Sequence, residues 1–245
     1  MGATVKIIAA DPTGFNINEK CGSTKPKQLQ ETVLAEKADL GIAFDGDGDR
    51  LMLVDHHGVL VDGDEILYIL GRYHQVQGIA GTLMSNLGLE KCLAKQGIQL
   101  ERAKVGDRHV AELLKQRHWQ LGGEPSGHII NCQWLPSGDG LASALMVLNI
   151  MLQQKAPLAE LKQGMTKYPQ HLINVPLKKD FSPAIQAQLD ELVAKAQQEL
   201  GNNGRILLRA SGTEPLLRVM VEGQEQQQVQ AFTERLAQQV QALAG

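Results

Sequence analysis

The chain has 245 residues, enough for one large domain or two to three small ones. Hydrophobic residues make up 43% and charged residues 21%, ordinary values for a globular protein. A formal net charge of −3 leaves no basic footprint for nucleic acid, so any attraction for anions has to be local.

Cys21, Cys92 and Cys132 are scattered and show no C-x-x-C spacing, which points to reduced thiols, not to a disulfide or zinc site. No apolar run reaches the length of a membrane span, and the N-terminus lacks the charged and then apolar pattern of a signal peptide. The expectation is a cytoplasmic chain with no membrane partner.

In chain order, Thr4–Ala9 reads as a buried strand and Pro26–Ala38 as a helix with Leu29, Val33 and Leu34 on one face. Leu40–Phe44 and Leu51–Val54 are short apolar strands on either side of an acidic loop, followed by a turn at His57-Gly58. Helices are then expected over Asp64–Gly71, Leu87–Gln96, Val110–Gln116 and Gly140–Gln153. They alternate with strands over Ile79–Met84, Gln99–Val105 and Gln120–Gly122. That alternation argues for parallel α/β layers. After the proline-marked linker Lys167–Gln170 the texture changes. Strands over Ile173–Leu177, Arg205–Arg209 and Leu217–Val221, with helices over Pro183–Leu200 and Gln224–Leu243, suggest a small α+β domain with two helices on one sheet.

The acidic loop Asp45-Gly-Asp-Gly-Asp-Arg50 places carboxylates at alternate positions directly after a strand. Three like charges so close repel one another, and a hard divalent cation with oxygen ligands relieves that repulsion. Gly46 and Gly48 are expected to let the backbone curl so that Asp45, Asp47 and Asp49 converge. An EF-hand would need glycine sixth and glutamate twelfth, where Arg50 and His56 stand. Magnesium is the preferred ion, since three carboxylates leave room for a phosphate oxygen.

Two further loops carry chemistry. Gly122-Gly-Glu-Pro-Ser-Gly-His128 offers Glu124 and Ser126 to sugar hydroxyls, and His128 as a candidate general acid/base. Arg209-Ala-Ser-Gly-Thr-Glu-Pro-Leu-Leu-Arg218 sits between two strands and offers the hydroxyls of Ser211 and Thr213, the backbone around Gly212, and guanidinium groups at Arg209 and Arg218. Together these form an anion nest suited to phosphate. It is not a P-loop, because no G-x-x-x-x-G-K-[ST] occurs. Lys104-Val-Gly-Asp-Arg108 is a weaker signal of the same kind, a strand end followed by glycine and charges of both signs.

The three loops, in this order and at these separations, resemble the α-D-phosphohexomutase superfamily, and within it the phosphoglucosamine mutase branch. Thr82-Leu-Met-Ser-Asn-Leu-Gly88, Tyr168-Pro-Gln170 and the run through Arg218-Val-Met-Val-Glu222 are also similar to that branch. The resemblance implies a mutase acting on a hexosamine phosphate, interconverting glucosamine 6-phosphate and glucosamine 1-phosphate through a phosphoserine and a bisphosphate intermediate. It implies that Asp45, Asp47 and Asp49 hold Mg2+, with Arg50 beside them. Glu124, Ser126 and His128 grip the sugar, with Lys104, Asp107 and Arg108 close by. Arg209, Ser211, Gly212, Thr213 and Arg218 hold the phosphate that is not being transferred. Glucosamine or glucose 1,6-bisphosphate is the primer in that family.

The implied layout is the tail of a second domain over residues 1–57, a third over 58–167 and a fourth over 168–245. The serine motif, typically Thr-Ala-Ser-His-Asn, has no counterpart in these 245 residues. The resemblance therefore implies an incomplete enzyme, either a homodimer or a piece that associates with a missing N-terminal half. Pro125 in the sugar loop leaves phosphoglucomutase or phosphomannomutase specificity as the enzyme alternative. A non-catalytic magnesium- and sugar-phosphate-binding remnant is the other.

Overall fold

The computed structural model describes residues 2–177, 183–211 and 214–244. The chain divides into two compact units, Met1–Ser85 with Leu89–Thr166, and Asn86–Gly88 with Lys167–Gly245.

The first unit opens with a segment that departs from expectation. Thr4–Ala9 is not a strand: Val5 and Ile7 are 73% and 74% exposed, and no ladder partner lies beside them among the described residues. An apolar alternation forms a strand only when a neighbour takes up its backbone groups. An ion pair between Lys6 and Glu36 ties the segment to α1 (Lys27–Glu36). Strands β1 (Leu40–Phe44), β2 (Leu51–Asp55) and β3 (Leu60–Val61) then form an antiparallel sheet in the order β1-β2-β3, with Phe44 opposite Leu51. The two residues flanking the acidic loop are thus paired across the hairpin that carries it.

Helix α2 (Gly63–His74) begins at a capping box in which the Asp62 carboxylate accepts from the Asp64 and Glu65 amides, and Glu65 accepts from the Asp62 amide. Beyond it lies a five-stranded sheet in the order β5-β4-β6-β7-β8. Its strands are β4 (Gly78–Thr82), β5 (Gln99–Ala103), β6 (Leu121–Gly123), β7 (Ile129–Asn131) and β8 (Leu135–Gly138). Strand β4 runs parallel to β5 and β6, whereas β6, β7 and β8 are antiparallel, so the sheet is mixed. The remaining helices are α3 (Leu87–Ala94), α4 (Asp107–Arg117), α5 (Gly140–Gln154) and the short α6 (Leu158–Leu161). Every residue of β4 is buried: Ile79 packs into the cluster containing Leu67, Leu93 and Val147, and Ala80 into that of Val110, Leu114 and Trp119. A strand covered on both faces explains its run of small and apolar residues.

The second unit is a three-stranded antiparallel sheet in the order β10-β11-β9, made of β9 (Gln170–Pro176), β10 (Gly204–Ala210) and β11 (Leu216–Gly223). Helices α7 (Pro183–Leu200) and α8 (Gln226–Ala244) pack against it, and Leu189, Leu217, Val219, Val221, Leu236 and Val240 are buried in one cluster. The glutamine-rich α8 keeps its apolar residues at spacings of three and four, which turns one stripe into the core.

Candidate functional site

The acidic loop leaves the β1–β2 hairpin with its three carboxylates gathered: one oxygen from each of Asp45, Asp47 and Asp49 lies within 4.8 Å of the others. Arg50 folds back on the loop, its amide donating to Asp45 Oδ1 at 3.1 Å and its Nε lying 3.2 Å from Asp45 Oδ2 and 3.7 Å from Asp49 Oδ1. Asp49 Oδ1 is buried without a hydrogen bond. Burial pushes the Asp49 carboxyl above its ordinary range and neighbouring Asp45 adds to the rise, while His128 acts against it.

The two glycines of this loop differ in what they do. Gly48 has φ +76 and serves the curl. Gly46 is not at positive φ; a Cβ there would lie 2.6 Å from Ile17 Cγ2. Close approach, not backbone handedness, requires its glycine.

Within the first unit the loop 122–128 is fastened to the acidic loop. The Leu51 amide donates to Gly127 O at 3.0 Å, Arg50 and His128 form an isolated bridge, and His128 Nδ1 lies 2.9 Å from Asp49 Oδ2. The His128 ring is buried, and Gly138 lies against it: a Cβ on Gly138 would meet Nε2 at 2.3 Å. The ring nitrogen facing Asp49 is therefore engaged, and His128 holds a candidate metal ligand in place. The Gly63 amide, at the start of α2, donates to Pro125 O at 3.2 Å. The Gly140 amide, at the start of α5, donates to Gly48 O at 2.9 Å. Both helix starts hold loop backbone in this way.

Glu124 receives the Gly106 amide on Oε1 at 3.0 Å, which brings the Lys104–Arg108 segment to the sugar loop. Lys104, Asp107 and Arg108 are exposed, as is Ser126. Arg108 Nε is 3.0 Å from Glu112 Oε1, one turn along α4.

In the second unit, Arg209 and Arg218 are directly opposite one another in the β10–β11 register. Ser211 Oγ and Arg218 Nε are buried without hydrogen-bond partners among the described residues, and the Ser211 amide donates to Leu216 O at 2.9 Å. Gly212 and Thr213 lie outside the described residues. At the far end of the same face, buried Glu222 accepts from Arg205 Nη2 at 2.9 Å, Gln170 Nε2 at 3.0 Å and the Leu87 amide at 2.6 Å.

Sequence reasoning passed over the turn Asn16–Ser23. Its Ser23 amide donates to Phe44 O at 2.9 Å, directly before the metal loop. The asparagines flanking Ile17, followed by a glycine, are the signal that this turn is built and not merely a connection.

A hairpin that carries the acidic loop, a mixed α/β layer and a small three-stranded α+β unit define a multidomain α/β chain. Three models of one family match in succession: phosphoglucomutase/phosphomannomutase α/β/α domain II over residues 10–58, α/β/α domain III over 62–168, and the C-terminal domain over 172–239. The chain belongs to the phosphoglucomutase/phosphomannomutase family.

Among its relatives, the phosphoglucosamine mutase of Coxiella burnetii is 51% identical over 98% of this chain and 55% of its own length. That of Aeromonas salmonicida is 50% identical over 99% of this chain and 56% of its own. The chain thus spans about half the length of the curated relatives it matches. Two crystal structures of the Aspergillus fumigatus N-acetylphosphoglucosamine mutase share the fold at 21% identity. One, in complex with GlcNAc-6P and magnesium, has a TM-score of 0.71 over 93% of this chain and 54% of that one. The other, with glucose 1,6-bisphosphate, has a TM-score of 0.65 over 93% and 53%.

Proposed function

We propose that this chain forms the metal-, sugar- and phosphate-binding portion of a phosphoglucosamine mutase, a cytoplasmic enzyme that interconverts glucosamine 6-phosphate and glucosamine 1-phosphate for UDP-N-acetylglucosamine synthesis. The observation that carries the reading is identity of about one residue in two with phosphoglucosamine mutases across nearly the whole chain. Magnesium fits the acidic loop, where three gathered carboxylates include one buried oxygen without a hydrogen bond. Asp45, Asp47 and Asp49 would hold it, and when bound it supplies positive charge that stabilises a phosphoryl group in transfer.

The chain's own residues do the rest. His128 orients Asp49, and Arg50 braces Asp45. Glu124 and Ser126 face the sugar hydroxyls, with Lys104, Asp107 and Arg108 on the adjoining segment. Arg209, Arg218 and Ser211 hold the phosphate that stays in place, an anchor that serves either orientation of the sugar. The phosphoseryl group belongs to the part of such mutases that these 245 residues do not cover, and glucosamine or glucose 1,6-bisphosphate primes it.

The test is a chimera joining the N-terminal part of the Coxiella burnetii enzyme to this chain, assayed with magnesium and bisphosphate primer. Turnover of glucosamine phosphate above that of glucose or mannose phosphate is expected. Preference for mannose phosphate would overturn the substrate reading. A polypeptide of these 245 residues alone is expected to show no turnover, and turnover above a no-protein control would mean that another residue carries the phosphoryl group.

A further inference from the structure

Asp47 differs from its two companions: it is exposed and has no hydrogen bond or ion pair among the described residues, whereas Asp45 is braced by Arg50 and Asp49 by His128. Its placement rests on the backbone at either side. On the C-terminal side Gly48 O is held by the Gly140 amide. On the N-terminal side a Cβ built on Gly46 would meet Ile17 Cγ2 at 2.6 Å and Asn18 Nδ2 at 3.5 Å.

The turn that presents these two side chains is fixed. Asn16 Oδ1 accepts from the Thr13 amide at 3.0 Å, its Nδ2 donates to Asp11 O at 2.9 Å, and the Glu19 amide donates to Asn16 O at 3.1 Å. Asn18 itself stands at φ +56, a left-handed conformation that asparagine tolerates better than most residues. Its Oδ1 occupies the space a Cβ on Gly22 would need, 2.8 Å away, while its Nδ2 faces Gly46. The carboxamide thus fills the gap between the two glycines, and Ser23 ties the end of the turn to Phe44.

We propose that Ile17 and Asn18 are positioning residues for the metal loop: they set the path of Gly46 and thereby the aim of Asp47. This rests on the metal reading above. Removing a side chain that orients a ligand from outside the coordination sphere lowers metal affinity by about tenfold or more.

The experiment is a Mn2+ titration of the 245-residue chain followed by electron paramagnetic resonance, with thermal melts in chelator to monitor folding. Asn18→Gly keeps the backbone conformation but removes the carboxamide, and is expected to weaken Mn2+ binding by about tenfold with the chelated melt little changed. Ile17→Ala, which removes the methyl against Gly46, and Gly46→Ala, which collides with it, are each expected to weaken Mn2+ binding in the same way. Those two variants decide the matter even if Asn18→Gly folds poorly. Wild-type affinity in both Asn18→Gly and Ile17→Ala would overturn the proposal. Asp47→Asn separates the two readings: if it binds Mn2+ like the wild type, the metal site itself is wrong, whereas weakened Asp47→Asn beside unaffected turn variants sinks only the positioning role.

Discussion

Arg209 and Arg218 face each other across β10 and β11, two like charges in register on one side of the sheet. Four residues along the same ladder, Arg205 sits opposite Glu222 and forms an ion pair at 2.9 Å. One end of this face is neutralised internally, and the other has no ion pair among the described residues. Directly opposed like charges destabilise a strand pair by about 0.2–1 kcal/mol, so an anion is the natural complement of the second end. Arg209→Ala should therefore stabilise the phosphate-free chain by a few tenths of a kcal/mol at low salt. It should weaken phosphate binding by about 1.5–3 kcal/mol, the size of a charge-assisted hydrogen bond. Amide NMR shifts at Ser211 and Glu214 on adding glucosamine 6-phosphate or inorganic phosphate report the binding. Equal shifts with unphosphorylated glucosamine would make the loop a structural hairpin.

Glu222 is fully buried and spends its carboxylate on Arg205, Gln170 and the Leu87 amide. Arg205→Ala should cost about 3–5 kcal/mol because it leaves a buried carboxylate without its cation. Replacing both residues with apolar ones of similar volume should cost less. Urea unfolding of the two variants checks the order, and an equal cost would place the effect in packing and not in charge.

Asp55 contributes to the pH dependence of stability. Burial pushes its carboxyl up, but the amides of Val59 and His57 and the ammonium of Lys162, 3.1 Å away, outweigh it and hold the group below the ordinary range. A depressed carboxyl contributes stability that is present above its unfolded value of about 3.9 and is lost as pH falls through the folded value. Lys162→Met should cost about 1–3 kcal/mol near neutral pH and flatten the loss of stability below about pH 4. Parallel stability curves for the two proteins from neutral to acid would show that the ammonium adds nothing.

Val5 and Ile7 are displayed without a sheet partner, and an unpaired apolar segment is a template for pairing between copies. The 245-residue chain is expected to self-associate with rising concentration. Val5→Asp with Ile7→Asp should lower the average mass seen by light scattering, and an unchanged mass would shift the cause elsewhere.

What could be read in the sequence follows from where the determinants lie. The strand over Leu40–Phe44 and the helix over Pro183–Leu200 were visible because their apolar spacing is itself the cause of their burial. Strands β7 and β8 were not: Ile129–Asn131 is only three residues long, and Leu135–Gly138 is largely exposed, carries a proline and a glycine, and pairs with β7 across a register shift, so neither shows a regular alternation. Thr4–Ala9 misled for the converse reason, a strand-like composition with no neighbour. The three carboxylates announced themselves by spacing. The engagement of His128 with Asp49, 79 positions apart, and the packing of Ile17 on Gly46 depend on tertiary approach that no local pattern records.

Beside the side-chain ties of Glu124 and His128, the loop 122–128 is fastened through main-chain atoms: Gly127 O to Leu51, Pro125 O to Gly63, and the Glu124 amide to His128 O. Main-chain moorings are indifferent to what hangs from them. The side chains at Pro125 and Ser126 can therefore be exchanged during evolution, or by an engineer, with the loop still docked in the same place. Such an arrangement behaves as an interchangeable cassette, on which a new sugar preference can be tried without rebuilding the scaffold beneath it.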